Sequence, residues 1–378
     1  MARRGVQEGS VYRRGDGRWV GVLHVGYATG KRLRKSYYGA TRQEVASRLA
    51  GAVRDRQLGK NPAPEREKVA GFLERWMEDV VKTSVRASTY RGYEVMLRLH
   101  IIPEIGHLRL ARLTADDLDG CYSRLLNKGL SPKTVRLAHA ILHRALSHAQ
   151  RRGSVAVNVA SVAAPPPAPR KEFRTLSPEE ASRLLKAALS DRLYALYCLA
   201  LTCGLRQAEL LGLRWADVDL NGAVLSVRQQ VYRLSGEWIY TEPKTKAGRR
   251  TVPLSGSVVE ALRERRLAQN AERLRAQDWE DNDLVFANRR GRPVERVDLL
   301  RRSFWPLLER AGLPHMRFHD LRHTCASLLL AEGVHPKVVQ ERLGHASIAT
   351  TMDTYSHVLP SLQVDAAERL DRLLTASS

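Results

Sequence analysis

The spacing of apolar positions changes character three times along the chain. Between residues 10 and 39 the apolar residues alternate in short runs, at residues 10–13, at 17–26 around Trp19, and at 32–38, separated by Gly-Asp-Gly and Ala-Thr-Gly-Lys turns. Runs of this length between turn residues predict a small three-stranded antiparallel sheet. Thr41-Arg42-Gln43-Glu44 then reads as a capping box, and Val45, Leu49 and Val53 follow at intervals of four. One helix is therefore expected to pack on a face of that sheet.

From Val69 the period becomes helical. Phe72, Trp76 and Val80, then Tyr90, Tyr93, Leu97 and Ile101, then Leu118, Tyr122 and Leu125, and finally Val135, Leu142 and Leu146 after Ser131-Pro132 predict four helices, enough for a small bundle. A third region opens at Ser177-Pro178-Glu179-Glu180, a capping box with proline at the first helical position. It is mainly helical except across residues 223–253, where Val224-Leu-Ser-Val-Arg, Trp238-Ile-Tyr and Arg250-Thr-Val-Pro read as strands around glycine turns. Residues 59–66 and the proline-rich residues 163–171 offer nothing to bury and read as linkers. The expected class is thus a multidomain, mainly α protein with small β-sheets (α+β), divided into residues 1–60, 68–162 and 172–378.

Charge narrows the partner. The 378 residues carry 62 Lys and Arg against 40 Asp and Glu, a net charge of +22, and the first segment is especially rich in arginine and lysine. Such a field attracts a polyanion, and a small basic sheet can enter a DNA major groove, so double-stranded DNA is the expected partner. The four cysteines show no Cys-x-x-Cys spacing, and the chain begins Met-Ala-Arg-Arg-Gly without the apolar stretch of a signal peptide. Its most apolar run, residues 193–205, is well short of the ~20 residues that span a bilayer. A cytoplasmic protein with reduced thiols and no membrane partner is expected.

Candidate chemistry lies in the third region. Arg206 and Glu209 are three residues apart and would share one face if their segment is helical; so would His319 and Arg322 in His-Asp-Leu-Arg-His. His345 follows in Leu-Gly-His, and Tyr355 comes ten residues later. A phosphodiester resists attack because its charge repels nucleophiles and its alkoxide leaves poorly, so catalysis must neutralise charge and supply a proton. The planar fork of arginine suits the first task, giving Arg206 and Arg322 as a clamp on nonbridging oxygens. A metal site built from His319, His323 and His345 is the competing reading, but Arg322 beside them would repel a dication.

The ordered set Arg206, His319-x-x-Arg322, His345 and Tyr355 resembles the tyrosine recombinase (phage integrase) family, whose active site runs Arg, Lys, His-x-x-Arg, His and a nucleophilic Tyr along the chain. The resemblance implies that Tyr355 forms a 3′-phosphotyrosyl link to DNA, that His319 moves a proton or hydrogen-bonds the phosphate, that His345 donates a further hydrogen bond, and that Glu209 orients its neighbours. It also implies a lysine general acid from a hairpin between the first arginine and the histidine motif. Lys244 best matches the family's Lys-Thr pattern, although Lys246 would point the same way from an extended strand. Asp320 is a candidate to fix the histidine tautomer. No cofactor, ATP or metal is implied.

By the same resemblance, residues 1–60 would be an AP2-like arm-type DNA-binding domain, 68–162 a SAM-like core-binding domain and 172–378 the catalytic domain. Four protomers would act on core-type and arm-type sites to integrate, or excise, a phage or mobile element, with an accessory DNA-bending or excision factor as a further partner. The amphipathic tail through Leu362, Leu370, Leu373 and Leu374 resembles the terminal helix that packs onto a neighbour. The alternatives are a catalytically inactive, regulatory DNA-binding relative and a type IB topoisomerase-like activity.

Overall fold

The computed structural model describes residues 10–28, 31–57, 66–167, 174–243, 245–355 and, in the tail, 367–368, 371–372 and 374–375; residues 24–28, 31–34, 55–57, 350 and 353–355 are described by backbone alone. Lys244, both linkers in part and most of the apolar tail lie outside the described residues. The contacts divide the chain into residues 1–170 and 171–378. Both units are mainly helical with small antiparallel sheets, which gives the multidomain α+β class.

In the first unit, strands Ser10–Arg13, Trp19–Ala28 and Lys31–Gly39 form an antiparallel sheet with the second in the middle. The middle strand starts at Trp19 because Gly17 is spent on the preceding turn, at φ +84, where its N–H donates to the Arg14 carbonyl. The helix Arg42–Gln57 follows. Thr41 Oγ1 accepts from the Glu44 N–H, while Glu44 Oε2 reaches back to the Ala40 N–H, one residue earlier than in the usual capping box. Val45 and Leu49 are buried beneath this helix. Its seat is made by two glycines, since a Cβ at Gly21 or at Gly39 would lie 2.8 Å from a Val45 methyl carbon.

Residues 69–163 supply a separate apolar core in which Leu73, Trp76, Leu97, Ile101, Leu118, Leu125, Ile141 and Leu142 are buried. Its helices begin where the caps are: Thr114 and Asp117 form a full capping box before Ala115–Asn127, and Ser131 caps Pro132–Arg151 with proline in the first turn. A π-turn, Leu97–Ile101, precedes Pro103, whose missing N–H interrupts the helical ladder. The same device recurs in the second unit at Leu299–Phe304, before Pro306.

The second unit is organised around Tyr194–Thr202, a helix so uniformly apolar that it is covered on every side. Leu196, Tyr197, Leu225, Val252, Leu262, Phe286, Phe304 and Leu321 belong to the core around it. The predicted strands at Val224–Val227 and Arg250–Pro253 pair with one another, flanked by Val218–Asp219. The strand around Trp238, Glu237–Thr241, pairs elsewhere, with Gln230–Leu234. Ser235 and Gly236 both take positive φ in the connecting turn, the conformation that matches hairpin twist. Among the described residues no helix is long and apolar enough to cross a membrane.

The seating of the first helix gives a direct expectation. Gly21→Ala should overpack the Val45 contact and destabilise the amino-terminal sheet by about 1–3 kcal/mol, read as faster proteolysis within residues 10–57 of the full-length chain. Adding Val45→Ala should restore protection, and a failure of the second change to do so would dismiss the steric explanation.

Candidate active site

The site forms where helix ends meet. The apolar Tyr194–Thr202 helix stops at Cys203, and Gly204 turns the chain at φ +61. The turn is cramped, because a Cβ on Gly204 would come within 2.4 Å of Leu343. Arg206 then caps the helix Gln207–Leu211 from an extended backbone (φ −70, ψ 149), so it stands before the helix and not on its face. Its pairing with Glu209, which the three-residue spacing suggested through a shared helical face, arises instead from capping: Glu209 Oε2 accepts from the Arg206 backbone N–H at 2.9 Å and Oε1 from its guanidinium Nη1 at 2.7 Å.

Glu209 is buried, and a second arginine completes its shell. Arg250 Nη2 donates to Glu209 Oε2 at 3.0 Å, with the Arg250 side chain itself only 6% exposed. Burial alone would raise the Glu209 carboxyl, but the charges and hydrogen bonds of Arg250 and Arg206 outweigh it and hold the group below its ordinary range. Removing one partner of such a buried pair leaves an uncompensated charge, a loss on the order of 3–5 kcal/mol.

Arg322 lies in the first turn of the helix Asp320–Ala331 and is buried. Its Nη1 donates to the Gly204 carbonyl at 2.6 Å and its Nη2 to the Leu343 carbonyl at 2.7 Å. The carboxylate of Asp320, the candidate for fixing the histidine tautomer, accepts from the backbone and guanidinium of Arg317. His319 stands at the start of the same helix, edge-on to His323 with ring centroids 5.0 Å apart.

The helix Pro336–Leu343 ends at Gly344 in the left-handed region, φ +69. The Gly344 and His345 N–H groups return to the Gln340 carbonyl, which leaves the next carbonyls of the helix end to find donors elsewhere. Arginines fill them in register. Arg250 Nε donates to Arg342 O at 2.6 Å, Arg322 Nη2 to Leu343 O, and Arg206 Nη2 to Gly344 O at 3.3 Å. Cations at a helix carboxyl end are favoured electrostatically as well.

His345 follows this turn. Gln340 Nε2 donates to its carbonyl at 2.8 Å, and its Nδ1 lies 2.9 Å from the hydroxyl of buried Thr351. Thr351 is in the helix Ile348–Tyr355, so Tyr355 stands one turn beyond the residue that holds His345; the tyrosine side chain is outside the described residues. Burial, then the charges of Arg322 and Arg206, push the His345 imidazole down to about 3. Burial and then His319 push His323 down to about 4, and burial and then Arg322 lower His319. Among the described residues these histidines do not converge into a metal-ligand group.

The structure therefore gathers Arg206, Glu209, Arg322 and His345 and places His319 within their field. Lys244 lies outside the described residues, and Lys246 is an exposed member of the turn Lys246–Gly248. Arg250 and Thr351 are participants that motif spacing missed. A signal for Arg250 was present: it shares strand parity with buried Val252, and an arginine on the inward face of a strand requires a partner.

Residues 174–361 match the phage integrase family and residues 69–126 match the phage integrase N-terminal SAM-like domain. The chain is 31% identical to a tyrosine recombinase XerC-like protein of Caldanaerobacter subterraneus subsp. tengcongensis, over 91% of this chain and 93% of the relative. It is 28% identical to an integrase of Saccharopolyspora erythraea, over 96% and 95%. Among solved structures, the Tn1549 transposon integrase in complex with transposon right end DNA is similar with a TM-score of 0.69 at 25% identity, covering 80% of this chain and 99% of that one. Carrying this arginine and histidine site, the chain belongs to the phage integrase family of tyrosine recombinases, enzymes that cleave and rejoin DNA.

Proposed function

We propose that the protein integrates a phage or mobile element by site-specific recombination, with Tyr355 as nucleophile and Arg206, Arg322, His319, His345 and a lysine of the Lys244–Lys246 segment around the scissile phosphate. The observation that carries this reading is the convergence of Arg206, Arg322 and Arg250 on the turn immediately before His345. The Tn1549 integrase bound to transposon-end DNA supports the substrate class.

In the proposed step the Tyr355 oxygen bonds to phosphorus as the bond to the 5′ oxygen breaks. Arg206 and Arg322 offset the charge gathering on the nonbridging oxygens. The phenol proton passes to His319, which is neutral at pH 7 because burial and the neighbouring arginines disfavour its charged form. The lysine ammonium protonates the departing 5′ oxygen. If the Thr351 hydroxyl donates to His345 Nδ1, the ring proton sits on Nε2, the tautomer that can donate to a phosphate oxygen. Attack by the 5′ hydroxyl of a partner strand reverses each transfer, so bond energy is conserved and no cofactor is consumed.

On this reading residues 1–60 bind arm-type sites, residues 68–162 bind core-type sites and residues 172–378 carry the chemistry. A homotetramer exchanges strands between two duplexes in the cytoplasm, with an accessory DNA-bending or excision factor setting direction. The basic field of the chain, +22 overall, suits such extended contact with DNA.

Nicked suicide DNA tests the chemistry. The wild type should become covalently attached in a denaturant-resistant complex, in chelator as readily as without it, and Tyr355→Phe should not; attachment by the phenylalanine variant would refute the assignment. A second expectation concerns pH. His319, His323 and His345 all have folded-state values below the ordinary 6.5. The unfolded chain therefore binds protons first, and their neutral burial supports the fold fully above pH 6.5 and progressively less as pH falls toward about 4 and about 3. Thermal midpoints should drop across that interval, and His323→Gln should flatten the drop; an unchanged slope would count against burial as the cause.

A further inference from the structure

Arg250 does more than neutralise Glu209. Its guanidinium touches separate segments of the site: Nη2 on Glu209 Oε2, Nε on the Arg342 carbonyl, and Nη1 on the Gly248 carbonyl at 3.1 Å. Gly248 closes the turn Lys246–Gly248, and its N–H donates to Thr245 Oγ1 at 3.2 Å. That turn also rests directly on the His345 loop, since a Cβ on Gly344 would fall 2.6 Å from the Ala247 carbonyl oxygen and 3.0 Å from Arg250 Nη1. The Lys246–Gly248 turn and the arginine-capped helix end therefore meet at one junction, and Arg250 is bonded to both.

We propose that Arg250 is a positioning residue for the general acid: it fixes the Thr245–Gly248 turn, which carries Lys246 and follows Lys244 directly in the chain, against the Arg206–Glu209 pair and the Arg342–Gly344 helix end. The inference rests on the recombinase reading above. In the step it serves, the tyrosine oxygen–phosphorus bond forms, the phosphorus–5′ oxygen bond breaks, and a lysine proton goes to the 5′ oxygen. A misplaced lysine harms only that proton delivery. The clamp on the nonbridging oxygens stays with Arg206 and Arg322, and Arg322 keeps its anchors on Gly204 and Leu343.

The consequence separates proton delivery from the rest of catalysis. A suicide strand whose scissile 5′ oxygen is replaced by sulfur leaves as a thiolate and needs no proton, so its cleavage should not depend on where the lysine sits. Arg250→Lys keeps a cation beside Glu209 but loses the planar fork that reaches separate acceptors at once. Full-length Arg250→Lys should cleave the ordinary strand about a hundredfold more slowly, while its cleavage of the sulfur strand falls much less, so that the ratio of the two rates shifts toward the sulfur strand. Both strands are offered to the same preparation, so a smaller folded fraction would lower both rates equally and leave their ratio unchanged.

A ratio equal to that of the wild type, whether both rates fall or neither does, would overturn the positioning role. Tyr355→Phe on the sulfur strand tests the underlying reading separately. Covalent attachment by that variant would bring down the nucleophile assignment, and its absence beside an altered Arg250→Lys ratio would support both.

Discussion

The candidate active site depends on a helix end that cannot satisfy itself. Once the Gly344 turn has used the Gln340 and Glu341 carbonyls, the oxygens of Arg342, Leu343 and Gly344 need donors, and among the described residues arginines provide them. The cost of leaving such groups unpaired draws Arg250, Arg322 and Arg206 from separate elements to one turn. The buried Glu209 completes the arrangement from the other side, balancing charges that would otherwise repel one another. The cations are thus held by the protein's own backbone, so the fold itself assembles the cluster of guanidinium groups.

The same crowding of charge sets the protonation of the histidines. Imidazoles buried among guanidinium groups stay neutral where an exposed histidine would begin to charge, so each ring keeps one nitrogen that donates a hydrogen bond and one that accepts. Thr351 ties His345 to the helix that ends at Tyr355, so the histidine loop and that helix are linked through one buried hydroxyl.

Much of this was readable from the chain before its fold was known, and the parts that were not share a physical reason. Helix starts were legible because Ser177 with Glu180 and Ser131 with Pro132 are local signals, complete within four residues. His319, Arg322 and His345 were legible as a short ordered motif. Arg250 was hidden because its partners, Glu209 and the Arg342 carbonyl, are far away in sequence and one of them is main chain. Arg206 was found for an incomplete reason, since a three-residue spacing to Glu209 serves a helical face and an N-cap equally well. The strand Gln230–Leu234 was overlooked because it is mixed in polarity and pairs only with a hairpin neighbour.

An anchor made of peptide oxygen has one property that a side-chain anchor lacks: every amino acid supplies it. The acceptors that grip Arg250 and Arg322 are supplied by residues 342 and 343 whatever their side chains, although the Arg342 guanidinium also holds the Thr202 carbonyl and Leu343 is fully buried. The hereditary burden falls instead on Gly204 and Gly344, where a left-handed backbone and a neighbour within 2.6 Å admit no side chain. Two residues with no functional group thereby govern where the charged ones are allowed to be.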